Sequence, residues 1–92
     1  MNLELKVKID GGIGSNLYLI SVSDDFQTIT HYFLGNDDND VLKQFFTKNE
    51  WDEDFVKETY RNIGWYFDED WDGEDGEGDE TIDVELIGTI IE

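Results

Sequence analysis

The stretch TITHYFLGNDDNDVLKQFF, residues 28–46, decides the fold, because its hydrophobic pattern changes character half-way along. Thr28 to Leu34 is rich in β-branched and aromatic residues and reads as a strand. After Gly35, the run Asn36-Asp37-Asp38-Asn39-Asp40 offers several N-cap side chains and places negative charge where a helix dipole favours it. Val41, Leu42, Phe45 and Phe46 then recur at helical spacing, which predicts a short amphipathic helix to about Lys48.

Upstream, Leu3, Leu5, Val7 and Ile9 alternate with Glu4, Lys6 and Lys8, the period of a half-buried strand. The Gly11-to-Asn16 segment reads as a turn, and Leu17 to Val22 as a further strand. Three strands joined by short turns imply an antiparallel meander. Downstream, Glu50, Asp52, Glu53 and Asp54 open a second helical stretch with the stripe Trp51, Phe55, Val56, Tyr60 and Ile63, closed by Gly64. Trp65-Tyr66-Phe67 reads as a short strand or a packed continuation. Residues 68–80, DEDWDGEDGEGDE, hold nine carboxylates in thirteen positions and read as a loop. Thr81 to Ile91 alternates again and predicts a last strand. The expected fold is a single α+β domain over residues 1–92, an antiparallel sheet of three N-terminal strands plus a C-terminal one. Two short helices pack on one of its faces.

Charge is the other strong signal. Six basic residues stand against twenty-four acidic ones, a formal net charge of -18 in 92 residues. Such an imbalance works against a compact state but favours solubility and steers basic partners. Thirteen aromatic residues nevertheless supply a core, which separates this chain from disordered acidic sequences. A domain of this length has an expected diameter of roughly 30 Å. Duplex DNA carries eighteen charges over about the same length.

The acids fall at spacings that suit phosphate mimicry. Carboxylates three or four residues apart on a helix lie about 5–6 Å from one another, and alternate residues of an extended chain about 6.6 Å. Both distances are comparable to those between neighbouring phosphates. The candidate partner-binding residues are therefore Glu50, Asp52, Glu53, Asp54 and Glu58 on the helix, with Asp68, Glu69, Asp70, Asp72, Glu74 and Asp75 on the loop. Trp51 and Trp65 read as core residues. Trp71, between Asp70 and Asp72, either pins the loop to the body or offers an aromatic anchor to a partner, and it joins the acids in the candidate partner-binding set as the expected aromatic anchor.

A rival reading comes from the same loop. Asp68, Asp70 and Asp72 followed by Gly73 match the opening of an EF-hand calcium loop, with Asp79 at its twelfth position. The remainder departs from that pattern: Asp79 is shorter than the usual Glu, and a strand follows where a helix should leave. Catalysis finds no support. His31 is the sole histidine and lies mid-strand, no Cys is present, and the Gly11-to-Gly14 turn lacks the lysine and helix of a phosphate cradle. The expectation is a non-enzymatic protein without a cofactor. It has no signal peptide or membrane span and is read as cytoplasmic, in the host cell if phage-encoded.

Size, charge, aromatics interleaved with acids and the lack of Cys together resemble the phage-encoded DNA-mimic inhibitors, which include anti-restriction proteins of the Arn type and anti-CRISPR proteins. The resemblance is one of composition, so it assigns no residue by motif. It implies occupation of the basic DNA- or RNA-binding groove of a restriction enzyme or CRISPR effector, with no direct contact to nucleic acid. Dimers occur in the class, and a homodimer would extend the charge track. An immunity protein against a basic nuclease toxin has the same physical requirements.

Overall fold

A computed structural model describes residues 9–68 and 70–89. The element order is β1 (Gly11–Gly12), β2 (Asn16–Ser23), β3 (Thr28–Gly35), α1 (Asp38–Lys48), α2 (Glu53–Thr59), α3 (Gly64–Phe67) and β4 (Thr81–Thr89). The four strands form one sheet in the order β1-β3-β2-β4. The α+β class stands as expected. The strand predicted over residues 3–9 falls almost wholly outside the described residues.

The sheet is mixed rather than antiparallel. β2 and β3 form a hairpin running from Asn16 opposite Gly35 to Ser23 opposite Thr28, and β4 adds antiparallel to β2. The hairpin closes through Asp24, whose carboxylate accepts from the backbone N–H of Phe26 at 2.7 Å and of Gln27 at 2.8 Å. Local side-chain bonds of this kind are why Asp favours turns. β1, however, lies on the far side of β3 and runs parallel to it, with Gly11 opposite Phe33 and Gly12 opposite Leu34. What reads locally as a turn is therefore a crossing. The chain passes over the end of β3 at Gly14, where a Cβ would come within 2.6 Å of the Gly35 backbone. Only a bare backbone fits such an approach.

Helix α1 covers one face of this sheet. Asp37 caps α1 by accepting from the Asp40 N–H at 2.7 Å, and Val41, Leu42, Phe45 and Phe46 turn inward. They meet Tyr18, Ile20, Phe33 and Ile82 from the sheet, with Val56, Tyr60 and Ile63 from beyond α1. Phe45 is the hub: its ring lies 5.5 Å from Phe33 edge-on, 5.5 Å from Trp51 and 5.1 Å from His31. Edge-to-face pairs of this kind add to what burial alone contributes. Among the described residues no polar or charged side chain is buried. The acids among these residues thus stay outside the core.

Two further expectations are corrected here. The second helix does not run to Gly64. Asp52 caps α2 through the Phe55 N–H, but the helix ends at Thr59, and Tyr60 turns extended to bridge Glu80 in parallel. Gly64 opens the four-residue α3 instead, so Trp65-Tyr66-Phe67 is helical and not a strand. Among the described residues there are three helices, not two, and α1 is the one that packs mainly on the strands.

Candidate partner-binding face

α2 and the loop that follows α3 are brought together by backbone bonds. Glu80 N–H donates to Thr59 O at 3.0 Å, Arg61 N–H to Glu80 O at 2.9 Å, and Gly76 N–H to Arg61 O at 2.6 Å. Gly78 is buried against this segment, where a Cβ would sit 2.4 Å from Thr59 O. The acidic loop is therefore laid along the 59–62 backbone by its glycines. Asp75 adds an ion pair to the same segment, its Oδ2 lying 3.8 Å from Arg61 Nε.

The Trp71 indole packs so closely on Gly64 that a Cβ there would lie 2.4 Å from Nε1. The same Nε1 donates to Glu74 O at 2.9 Å, and the Trp71 N–H to Asp68 O at 3.2 Å. Trp71 pins the loop. Trp51 and Trp65 are half-buried against the core, as their spacing implied.

The predicted acids distribute as follows. Glu50 sits in the α1–α2 connection with φ of 58°, Asp52 is the α2 cap, and Glu53, Asp54 and Glu58 are exposed on α2. Asp68 and Asp72 each turn an oxygen onto the backbone, toward Asp70 N at 2.9 Å and Glu74 N at 3.0 Å. Asp70, Asp72, Glu74 and Asp75 are all exposed, and Glu69 lies outside the described residues. Between Glu50 and Glu80 the sequence carries fourteen acids and two bases. Both bases are engaged within the fold: Lys57 Nζ lies 2.9 Å from Glu53 Oε1, and Arg61 Nε 3.8 Å from Asp75 Oδ2. They line a cavity of about 530 Å³ together with Tyr60, Phe67 and Trp71, and Lys57 Nζ sits 5.0 Å above the Phe67 ring.

No family model, curated protein or solved structure matches this chain. Its chemistry has to be read from its own geometry.

That geometry bears on the calcium expectation. Among the described residues no three His, Asp or Glu side chains are grouped to hold a metal ion, so Asp68, Asp70, Asp72 and Asp79 do not converge. A strand, β4, follows the loop. The charge density also differs from the simple length comparison. The molecule measures 49 × 29 × 25 Å, longer than the expected diameter. Eighteen charges over that axis amount to about one per 2.7 Å, looser than the roughly 1.7 Å of duplex DNA. Fourteen of the twenty-four acids fall within residues 50–80 of the sequence.

Beside the loop, burial pushes the Tyr60 phenol up to about 12, and the Glu80 carboxylate adds to the effect. Burial likewise raises Tyr66. His31, on the helix-facing side of the sheet, has Nδ1 3.3 Å from Asp10 Oδ2, a structural pairing beside Phe45. One surface residue escaped the sequence reading. Phe26 is 95% exposed at the tip of the β2–β3 hairpin, held out by the two bonds that Asp24 accepts. A lone aromatic between Asp25 and Gln27 in a turn was the available signal. Among the described residues no helix is long and apolar enough to cross a membrane.

Proposed function

We propose that this protein is an acidic nucleic-acid mimic. It occupies the basic DNA- or RNA-binding groove of a host defence nuclease, a restriction enzyme or CRISPR effector, and acts by occupancy rather than catalysis, in the cytoplasm. Carboxylates of α2 and the loop stand where phosphates would, and meet arginines and lysines of the groove. Binding exchanges counterions on both partners, so affinity falls steeply with salt.

The observation that carries this reading is the surplus of acid between Glu50 and Glu80. Fourteen acids face two bases there, and both bases already have partners within the fold. The loop is held by glycine backbone and Trp71, and among the described residues the carboxylates of Asp70, Glu74, Glu77 and Asp79 take no hydrogen bond or ion pair within the fold. Protein-to-groove recognition of this type depends on charge for on-rate and specificity.

The test is capture from bacterial lysate on the immobilised protein, eluted by stepped NaCl and challenged with duplex DNA. A single nuclease released by salt and displaced by the duplex is the expected result. Capture of unrelated basic proteins only, or a nuclease that duplex DNA leaves in place, overturns it.

A further inference from the structure

Among the described residues the β4 edge of the sheet is open over half its length, and its two faces differ in chemistry. At its start β4 is covered. Asn62 Nδ2 donates to Ile82 O at 2.9 Å, and Ile82 N–H donates to Asn62 Oδ1 at 2.9 Å, so one side chain imitates a neighbouring strand. Thr59 and Arg61 take the outward groups of Glu80. Strand backbone alternates, so the N–H and C=O of Val84 and Leu86 point the same way as those of Ile82. Beyond Ile82 no strand lies along this edge among the described residues.

We infer that residues 83–87 receive an extended basic segment of a protein partner, added to the sheet as a fifth strand. Val84 and Leu86 lie on the helix side of β4, opposite Ile20 and Tyr18 of β2. Leu86 is 55% exposed and Ile87, at the register shift, 47%. Asp83 and Glu85 point to the other face and are exposed. An incoming strand whose side chains alternate apolar and cationic would set its apolar set against Val84 and Leu86. Its cations would then stand beside Asp83 and Glu85, the arrangement that stabilises cross-strand pairs. Backbone bonds supply affinity in such strand addition, and the alternation supplies specificity.

Charge decides the occupant. A second copy pairing through the same edge brings Asp83 and Glu85 against their own counterparts, and like charges directly opposite are destabilising. It also joins two chains that each carry -18. The inference rests on the reading of a basic protein partner, but not on nucleic-acid mimicry.

The test is amide hydrogen exchange on the full chain at low salt, with an eight-residue peptide of alternating Lys and Val. A control peptide has the same sequence with alternate amides N-methylated. The Val84 and Leu86 amides are expected to slow at least tenfold with the first peptide and not with the second. Leu86→Pro, which removes an outward N–H and leaves the β2 ladder its own donors, should reduce peptide affinity at least tenfold while Asp83 and Glu85 amides stay protected. Equal binding of the N-methylated peptide overturns the inference, as does concentration-dependent protection of Val84 and Leu86 in the free chain, which would assign the edge to a second copy. In the lysate experiment the two readings separate. A nuclease displaced by DNA but captured equally by the Leu86→Pro chain sinks strand addition alone. A partner lost with Leu86→Pro yet indifferent to DNA sinks mimicry alone.

Discussion

Two acidic segments of this chain look alike in sequence and differ in what their carboxylates do. At the start of α1, Asp37 caps the helix, Asp38 accepts from Asn39 N–H at 2.9 Å, and Asp40 accepts from Asn36 N–H at 2.8 Å and Gln44 Nε2 at 3.2 Å. Every acid there has a structural partner. In the 68–80 loop, Asp68, Asp72 and Asp75 have one, and the segment is positioned by Trp71, Gly76 and Gly78. The same residue type serves as a backbone acceptor in one place and as surface charge in the other. Counting carboxylates therefore says little until each is asked whether the fold needs it.

The comparison can be broken most directly by removing the loop charge. Replacing Asp70, Glu74, Glu77 and Asp79 together by their amides should cost at least tenfold in capture of the basic partner. It should also flatten the salt dependence and leave the thermal midpoint unchanged or higher, since self-repulsion falls. Salt-stepped elution and a melting curve check both halves, and a drop in midpoint would mean that these acids hold the loop after all.

A change in what does hold the loop should behave oppositely. Gly78→Ala drives a Cβ into Thr59 O, and overpacking of this kind costs about 2 kcal/mol. Chemical denaturation should show that loss without a change in net charge.

Tyr60 sharpens the contrast from the side of pH. Its phenol ionises at about 12 in the fold against 10.0 in the open chain. Both states are protonated below pH 10, so its contribution is intact there. As pH rises from 10 to 12 the unfolded chain loses the proton first, and about 2–3 kcal/mol of stability disappears. Tyr60→Phe should flatten that alkaline decline in pH-resolved denaturation, whatever its effect at neutral pH.

The smallest expected effect is on the acid that the fold does need. Asp37→Ala removes the α1 cap and should cost about 1 kcal/mol by denaturant titration, whereas Asp70→Ala should leave the denaturation midpoint in place.

Much of the fold was legible because local pattern and tertiary role agree. α1 was readable from the Asp37 cap and the Val41, Leu42, Phe45 and Phe46 stripe, and β2, β3 and β4 from alternation and composition. The failures are places where a distant group overrides the local signal. Gly11–Gly12 has no side chains to alternate, so its parallel pairing with β3 left no trace in the pattern. Tyr60 and Ile63 keep helical spacing with Val56 and all three are buried, yet the backbone leaves the helix at Tyr60 to bond Glu80, twenty residues on. The acid set of the candidate face was readable as composition. Its attachment through Gly78 and the indole on Gly64 was not, because both contacts join segments that are separate in sequence.

The bridge between Tyr60 and Glu80 makes the acidic segment a closed loop whose two ends are fixed to each other. Closing a loop depends only weakly on its length: a doubling costs about 0.6 kcal/mol. A change of loop length that spares the Trp71–Glu74 and Gly76–Arg61 bonds therefore leaves the sheet and helices as they are. In evolutionary terms the amount of charge displayed is a dial separate from the stability of the domain, and a lineage could retune it against a changing target one acid at a time.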